Sequence, residues 1–178
     1  MKISTDGYFE GPAHDLNWHN VDKEFADFAI EQLDTADTLV FGRRTYELMV
    51  GFWSSDQAKK ADPGTAQRMN SMSKVVFSKS MRSADWGNTT LISRDVAGTL
   101  NTFKTKPGKN IAVLGSSNLC LTLLKDNLID EIRLMVNPVV LGKGTTLFAG
   151  LKKPINLKLK DSRVFKSGNV LLTYGVLK

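Results

Sequence analysis

Cysteine, histidine and long apolar runs are scarce in this chain, and each scarcity closes off a class of function. The one cysteine, Cys120, supports neither an intramolecular disulfide framework nor a cysteine-cluster zinc site. Set among Leu119, Leu121, Leu123 and Leu124, it reads as a buried structural thiol. His14 and His19, with Asp15 between them, do not have helical metal-ligand spacing, so no metal is expected. Neither histidine has a glycine-flanked serine to activate, which argues against serine hydrolysis. No apolar stretch approaches the roughly 20 residues that a membrane helix needs. The first residues carry no signal-peptide core. The expectation is a cytoplasmic protein without a membrane partner. A Walker A loop and a G-x-G-x-x-G fingerprint are also missing, so any nucleotide site must be built in another way.

What is present is a basic excess and a regular rhythm. The formal net charge is +6, from 24 basic and 18 acidic side chains. That excess suits an anionic small molecule. The basic residues are spread out, with no basic helix, zinc finger or RNA-binding aromatic motif, so a nucleic-acid partner is not expected. A length of 178 residues accommodates one domain, taken as residues 1–178.

Strand-like and helix-like runs alternate through the first two-thirds, which predicts an α/β sheet with crossover helices. Val21, Phe25, Phe28, Ala29 and Leu33 share one side of a predicted helix over 21–34, with Asn20 as its N-cap. A strand over 38–42 leads to a helix over 44–51. Pro63 suits the first turn of another helix over 64–72. Strands follow at 74–78 and 90–92, then a helix over 96–104. Asn110 to Gly115 reads as a central strand, and a helix capped by Ser116 or Ser117 runs to Lys125. The last third is mostly strand, at 132–136, 155–165 and 169–176. Lys166-Ser167-Gly168-Asn169 makes the final hairpin turn.

Three predicted strand ends carry the same chemistry. They are Gly42-Arg43-Arg44-Thr45, Phe77-Ser78-Lys79 and Gly115-Ser116-Ser117. Small residues after a strand let backbone amides approach an anion, and a new helix turns its positive end toward it. Arginine and lysine add charge-assisted hydrogen bonds. The alternatives are ordinary loop residues at Ser78 and Lys79, and a well-capped helix at Gly115 to Ser117. In open α/β sheets, ligands bind outside the carboxyl ends of the strands.

The order of short motifs along nearly the whole chain resembles one family. The motifs are Asp6-Gly7-Tyr8 with Glu10-Gly11-Pro12, Leu16-Asn17-Trp18, the FGRRTYELM segment at 41–49 and Trp53. MNSMSKVVFS at 69–78, Trp86-Gly87-Asn88, VLGSSNL at 113–119 and LIDEIRLMVNPVVLGKGTTLF at 128–148 follow, before the hairpin from Phe165 to Tyr174. This pattern is similar to the dihydrofolate reductase-like proteins related to the C-terminal reductase domain of riboflavin biosynthesis (RibD). The resemblance implies a dihydrofolate reductase-like α/β/α fold in three layers, with a mixed, mostly parallel sheet and a C-terminal antiparallel hairpin. It implies NADPH as cofactor and hydride transfer to a pterin-like or pyrimidinone-like ring, as in the uracil reductase of riboflavin biosynthesis or dihydrofolate reductase. It also implies a homodimer, for which the apolar strand 170–174 is a candidate interface. Cofactor contacts would fall to Gly42, Arg43, Arg44, Thr45, Phe77, Ser78, Lys79, Gly115, Ser116, Ser117, Asn118 and Leu119. With so few residues before Asp6, the first strand is either short or cut short.

A proton must accompany a hydride, and a buried carboxylic acid is one source. Asp22 lies within the apolar arc of the first helix and Glu24 at its edge; the wheel favours Asp22, the family pattern Glu24. Both could instead stabilise the helix N-terminus. Asp6 is a third candidate acid, or the first residue of an Asp-Gly turn. Trp18 and Trp53 are candidates to stack on a substrate ring or to fill the core. Asn137 is expected at the same cleft. The Gly142-Lys143-Gly144 loop is either a substrate-phosphate contact or a turn.

Overall fold

The alternating pattern becomes ten strands and six α-helices in a computed structural model that describes residues 1–178. Two short strands come first, β1 (Lys2–Ser4) and β2 (Tyr8–Glu10), then a single 3-10 turn at Pro12–His14. Next are α1 (Lys23–Asp34), β3 (Ala36–Gly42), α2 (Arg43–Trp53), α3 (Asp56–Ala61) and α4 (Pro63–Ser71). The middle contains β4 (Ser73–Phe77), β5 (Thr89–Ile92), α5 (Val96–Lys104), β6 (Asn110–Gly115) and α6 (Ser117–Lys125). The chain closes with β7 (Glu131–Asn137), β8 (Thr145–Thr146), β9 (Leu157–Val164) and β10 (Val170–Val176). None of the helices is long and apolar enough to cross a membrane.

The chain divides into two compact units, Ala26–Thr122 and Met1–Phe25 with Leu123–Lys178. In the first, four strands form a parallel sheet in the order β5-β4-β3-β6. Parallel strands covered on both faces read as continuous apolar runs, which is how β3 and β4 are written. Leu39, Val40, Phe41 and Val76 are at most 1% exposed. Burial of each such side chain contributes about 1.5–3 kcal/mol. Phe41, Tyr46 and Trp86 meet with ring centroids 6.0–6.4 Å apart. The Tyr46 hydroxyl accepts from the Trp86 backbone N–H at 2.9 Å, and Trp86 Nε1 donates to Asn70 at 2.7 Å.

Lys74 is the anomaly in this core. Only 1% exposed, it donates from Nζ to the carbonyls of Met69, Asn70 and Met72 at 2.7–3.2 Å, and lies 4.7 Å from the Trp86 ring centroid. It thus satisfies carbonyls that the C-terminal turn of α4 leaves open. Burial lowers its pKa to about 8.

The second unit holds a mixed sheet in the order β1-β7-β10-β9 and a two-stranded ladder of β2 with β8. β1 runs parallel to β7, whereas β10 is antiparallel to both neighbours. β1 is three residues long. The predicted interface strand 170–174 needs correction. β10 is hydrogen-bonded on both sides, so its backbone has no free edge to offer a second chain. The edge belongs to β9, where Lys158, Lys160 and Asp161 are exposed and Lys160 sits at a register shift. Charge and a bulge of this kind discourage edge-to-edge pairing.

Two further expectations change. The predicted cap, Asn20, does not cap α1. Asp22 does, accepting from the Phe25 N–H at 2.8 Å. Asn20 instead ties loops together, through its N–H to Asn137 Oδ1 at 2.9 Å and its side chain to the Ser167 carbonyl at 2.9 Å. The hexamer of α3 was unforeseen, because DQAKKA has almost no apolar periodicity.

Candidate functional site

Parallel pairing of β4, β3 and β6 brings their carboxyl ends to one edge of the sheet. Gly42 is opposite Phe77 in the β3–β4 register, and Phe41 is opposite Gly115 in β3–β6. The three segments singled out from sequence are therefore neighbours. β4 and β5 lie on one side of β3 and β6 on the other, so chain order reverses between β3 and β6. Such reversals are where open parallel sheets form ligand crevices.

The β3 and β6 ends approach each other closely at two glycines. A Cβ on Gly42 would sit 2.8 Å from Ser116 Oγ and 3.3 Å from Ser116 N. A Cβ on Gly115 would sit 3.0 Å from Thr45 Oγ1, and its φ of +128° independently disfavours a side chain. A cis peptide links Gly115 to Ser116. Gly42 opens α2 with extended dihedrals and no side-chain cap, so the first N–H groups of α2 at Arg43, Arg44 and Thr45 have no side-chain acceptor from the cap residue. Ser116 precedes α6, and its carbonyl accepts from the Cys120 N–H at 3.0 Å. The N–H groups of Ser117, Asn118 and Leu119 fall in that first turn, where a helix supplies no acceptors.

The cations around this edge are exposed. Arg43 lies 3.2 Å from both carboxylate oxygens of Glu47, one turn along α2, and Arg44 is exposed. Both can re-aim toward an anion, since an exposed i,i+4 pair is worth only about 0.3–0.5 kcal/mol. Ser78 Oγ accepts from the N–H groups of Ser80 and Met81 at 3.2 and 3.1 Å, folding a tight turn that leaves Lys79 exposed. Phe77 and Leu119 are 7% and 8% exposed, so their side chains belong to the core and only their backbones can serve a ligand. Cys120 is half-buried, and burial raises its thiol pKa. These residues fit a phosphate-bearing dinucleotide: two glycine-lined approaches, two helix starts and three exposed cations.

The acids and aromatic residues are more committed than the sequence suggested. Asp6 accepts from Ser4 Oγ at 2.6 Å and from the N–H groups of Leu141 and Gly142 at 3.1 and 2.7 Å. Ser4 first, then the Gly142 and Leu141 amides, hold its pKa down to about 2. A carboxylate in this state clamps the 141–142 turn and has no proton to give near neutral pH. Asp22 is occupied with capping α1. Glu24 is half-buried; its Oε2 accepts from the Lys166 N–H at 2.9 Å and its Oε1 lies 3.9 Å from Arg163.

Asn137 does not face a ligand, correcting the expectation. It is 0% exposed, with Oδ1 accepting from Asn20 and Nδ2 donating to the Ile3 and Met135 carbonyls. It is a strut between β1, β7 and the 19–20 loop. Trp53 packs against the core cluster of the parallel sheet, and its carbonyl accepts from Asn70. Trp18 is half-buried and donates to the Asp15 carbonyl at 3.1 Å. Its ring meets His19 edge-on at 4.4 Å.

Lys2 Nζ lies 4.0 Å from the Phe25 ring centroid, and burial lowers its pKa to about 8. His19 Nε2 is buried without a partner, while the ring is hydrogen-bonded to the Phe9 backbone. A lysine in a short first strand gives no sequence signal of burial.

Comparison with known proteins identifies the family and the fold. The RibD C-terminal domain family model matches residues 1–171. The uncharacterized protein YyaP of Bacillus subtilis (strain 168) is 33% identical over 180 residues, covering 98% of this chain and 91% of that protein. A Shewanella sp. PV-4 protein named for riboflavin biosynthesis has a similar structure, with a TM-score of 0.76, 24% identity, and coverage of 100% of this chain and 97% of that one. Dihydrofolate reductase from Enterococcus faecalis, solved with NADP(H), superposes with a TM-score of 0.63 at 15% identity, covering 99% of this chain and 94% of that one. The fold is thus dihydrofolate reductase-like, and the chain belongs to the RibD C-terminal domain family.

Proposed function

We propose that this chain is an NADPH-dependent reductase that transfers a hydride to a pterin-like or pyrimidinone-like ring. The carrying observation is the double close approach at the β3 and β6 ends, Gly42 against Ser116 and Gly115 against Thr45, on the edge that also holds Arg43, Arg44 and Lys79. Anion recognition there needs no Walker A loop, because two helix starts and two guanidinium groups supply it. NADPH, when bound, supplies the hydride. The chain's own part is to grip the phosphates through residues 42–45, 78–79 and 115–119 and to orient the ring.

Glu24 is the acid we carry forward for proton delivery. Asp22 is consumed by its cap, and Asp6 is held ionised. Glu24→Gln should keep the Lys166 hydrogen bond, lower kcat by about tenfold to a hundredfold and leave NADPH binding unchanged. Unchanged kcat would remove Glu24 from the reaction. The proposal takes a homodimer in the cytoplasm as the working form; sedimentation at micromolar concentration tests the assembly.

The reading is tested by adding candidate pterins and pyrimidinones to the chain with NADPH. Ring-dependent loss of NADPH absorbance supports it. Binding of NADPH with no turnover across that series favours a second reading, a nucleotide-binding module of the same fold. The full engagement of Asp6 and Asp22 as structural acceptors is what keeps that second reading in play.

A further inference from the structure

β10 carries its apolar side chains on the wrong face for a sheet that ends at water. Its burial alternates strictly, with Leu171, Thr173 and Gly175 buried and Val170, Leu172, Tyr174 and Val176 half-buried. A sheet with one face in the core and one in solvent puts its apolar side chains on the buried face. Here the less buried face is the more apolar one. Strand register extends that face to both neighbours, because directly opposite residues share a side of the sheet. Val136, Val170 and Val164 form one row across β7, β10 and β9. Leu134, Leu172 and Ser162 form the next, and Ile132, Tyr174 and Leu159 the third.

Exposure along these rows rises toward the sheet edge. Leu134 on β7 is 8% exposed, the β10 members are half-buried, and Leu159 and Val164 on β9 reach 53% and 74%. The charges of the same strands lie on the opposite face. Glu131 and Lys158 flank Gly175, Arg133 and Asp161 flank Thr173, and Arg163 is opposite Leu171. Lys160, at the register shift, runs along that side too: its Cε would lie 2.8 Å from a Cβ on Gly175, and its Nζ reaches Glu131 at 3.2 Å. The three apolar rows therefore carry no charged side chain. Strands about 4.8 Å apart and same-face residues about 6.8 Å apart give them a footprint on the order of 300 Å². Apolar patches of that size mark contact sites.

We propose that this face seats a second copy of the chain, packed sheet against sheet about a two-fold axis. The inference rests on the homodimer taken as the working form, and it names the surface. A charged partner finds nothing to pair with in these rows. A lipid surface favours basic side chains beside the apolar ones, and here Lys158 and Arg163 belong to the other face. The fitting complement is another uncharged sheet face, and a second copy brings one. In an isologous contact the same patch serves both partners. Sheets packed in this way lie about 10 Å apart, with strand directions within about 30°. β10 then contributes through its side chains, with both backbone edges already paired.

The test is sedimentation of the full chain across micromolar concentrations, with thermal melting to confirm folding. Wild type should sediment as a dimer. Val164→Glu and Leu159→Glu place a carboxylate on the face at positions exposed in the single chain, so each should still fold. Each should weaken the dimer on the order of a hundredfold, because the two-fold brings both new charges into one interface. Val164→Ile should keep the dimer, and so should Lys158→Glu on the opposite face. A dimer that survives both carboxylate variants, or that Lys158→Glu weakens as much, would overturn this surface and leave the homodimer standing on another one. A wild-type monomer throughout would overturn both. Where a carboxylate variant fails to melt cooperatively, Val164→Ser takes its place, with a several-fold weaker dimer expected from the lost apolar contact and an unchanged dimer counting against the surface.

Discussion

In the parallel sheet of residues 26–122, the inner strands are sealed by apolar side chains, and Leu39, Phe41 and Val76 are fully buried. In the mixed sheet of the other unit, fully buried positions include Ser4, Asn137 and Asn169, and the edge strand β9 exposes Leu159 at 53% and Val164 at 74%. The first sheet is fixed mainly by packing, so its strand ends sit at a defined height and can hold glycines against neighbouring backbone. The second is fixed by polar struts that set loops: Asp6 on the 141–142 turn, Asn137 on the 19–20 loop, Glu24 on the hairpin at Lys166. Rigid strand ends suit a constant ligand such as a cofactor.

The largest test of this contrast concerns Lys74, the one charge inside the apolar sheet. Lys74→Ala removes a donor from three carbonyls and leaves a void, and should lower stability by about 3 kcal/mol in urea unfolding. A loss below about 1 kcal/mol would mean that water replaces the ammonium and that the core is less sealed than its burial implies.

Next in size is the crevice itself. Gly42→Ala forces the Ser116 hydroxyl aside and narrows the approach between β3 and β6. NADPH affinity should fall about tenfold, or about 1.4 kcal/mol, with a smaller effect on stability because φ at Gly42 is an ordinary −83°. A purely structural role for this glycine would reverse that ranking. Arg43→Ala should follow, weakening NADPH several-fold and NADH less, with about 1 kcal/mol between them if the guanidinium faces the extra phosphate. Equal losses for the two cofactors would move Arg43 to the shared pyrophosphate.

The smallest effect is expected from the polar struts. The folded-state pKa of Asp6, about 2, lies below its ordinary value of 3.8. Its contribution to stability is therefore present above about pH 4 and is lost as pH falls through 2. Asp6→Asn should flatten the fall in the urea midpoint between pH 4 and 2 that this clamp contributes. An unchanged acid limb would show that the clamp is not formed in solution.

Much of this architecture was legible in the sequence. The helix at Val96–Lys104 and the strand at Asn110–Gly115 were both read from the sequence, but the strand, read by composition as central, stands at the end of the β5-β4-β3-β6 order. The three strand ends stood out because glycine, hydroxyl and basic residues follow apolar runs. Their adjacency was not readable, since it depends on the β4–β3–β6 order. β2 and β8 are three and two residues long, too short to carry a period. Burial of Lys74 within SKVVF, and of His19 Nε2 without a partner, arises only from tertiary packing. The candidate acids show the same limit: periodicity placed Asp22 on the apolar face, but local geometry made it a cap.

The most direct test of the account is a titration of the full chain with NADPH and NADH under identical conditions. The account predicts submicromolar binding of NADPH and much weaker binding of NADH, with Gly42→Ala weakening both. No binding of either cofactor by a chain that melts cooperatively would contradict it.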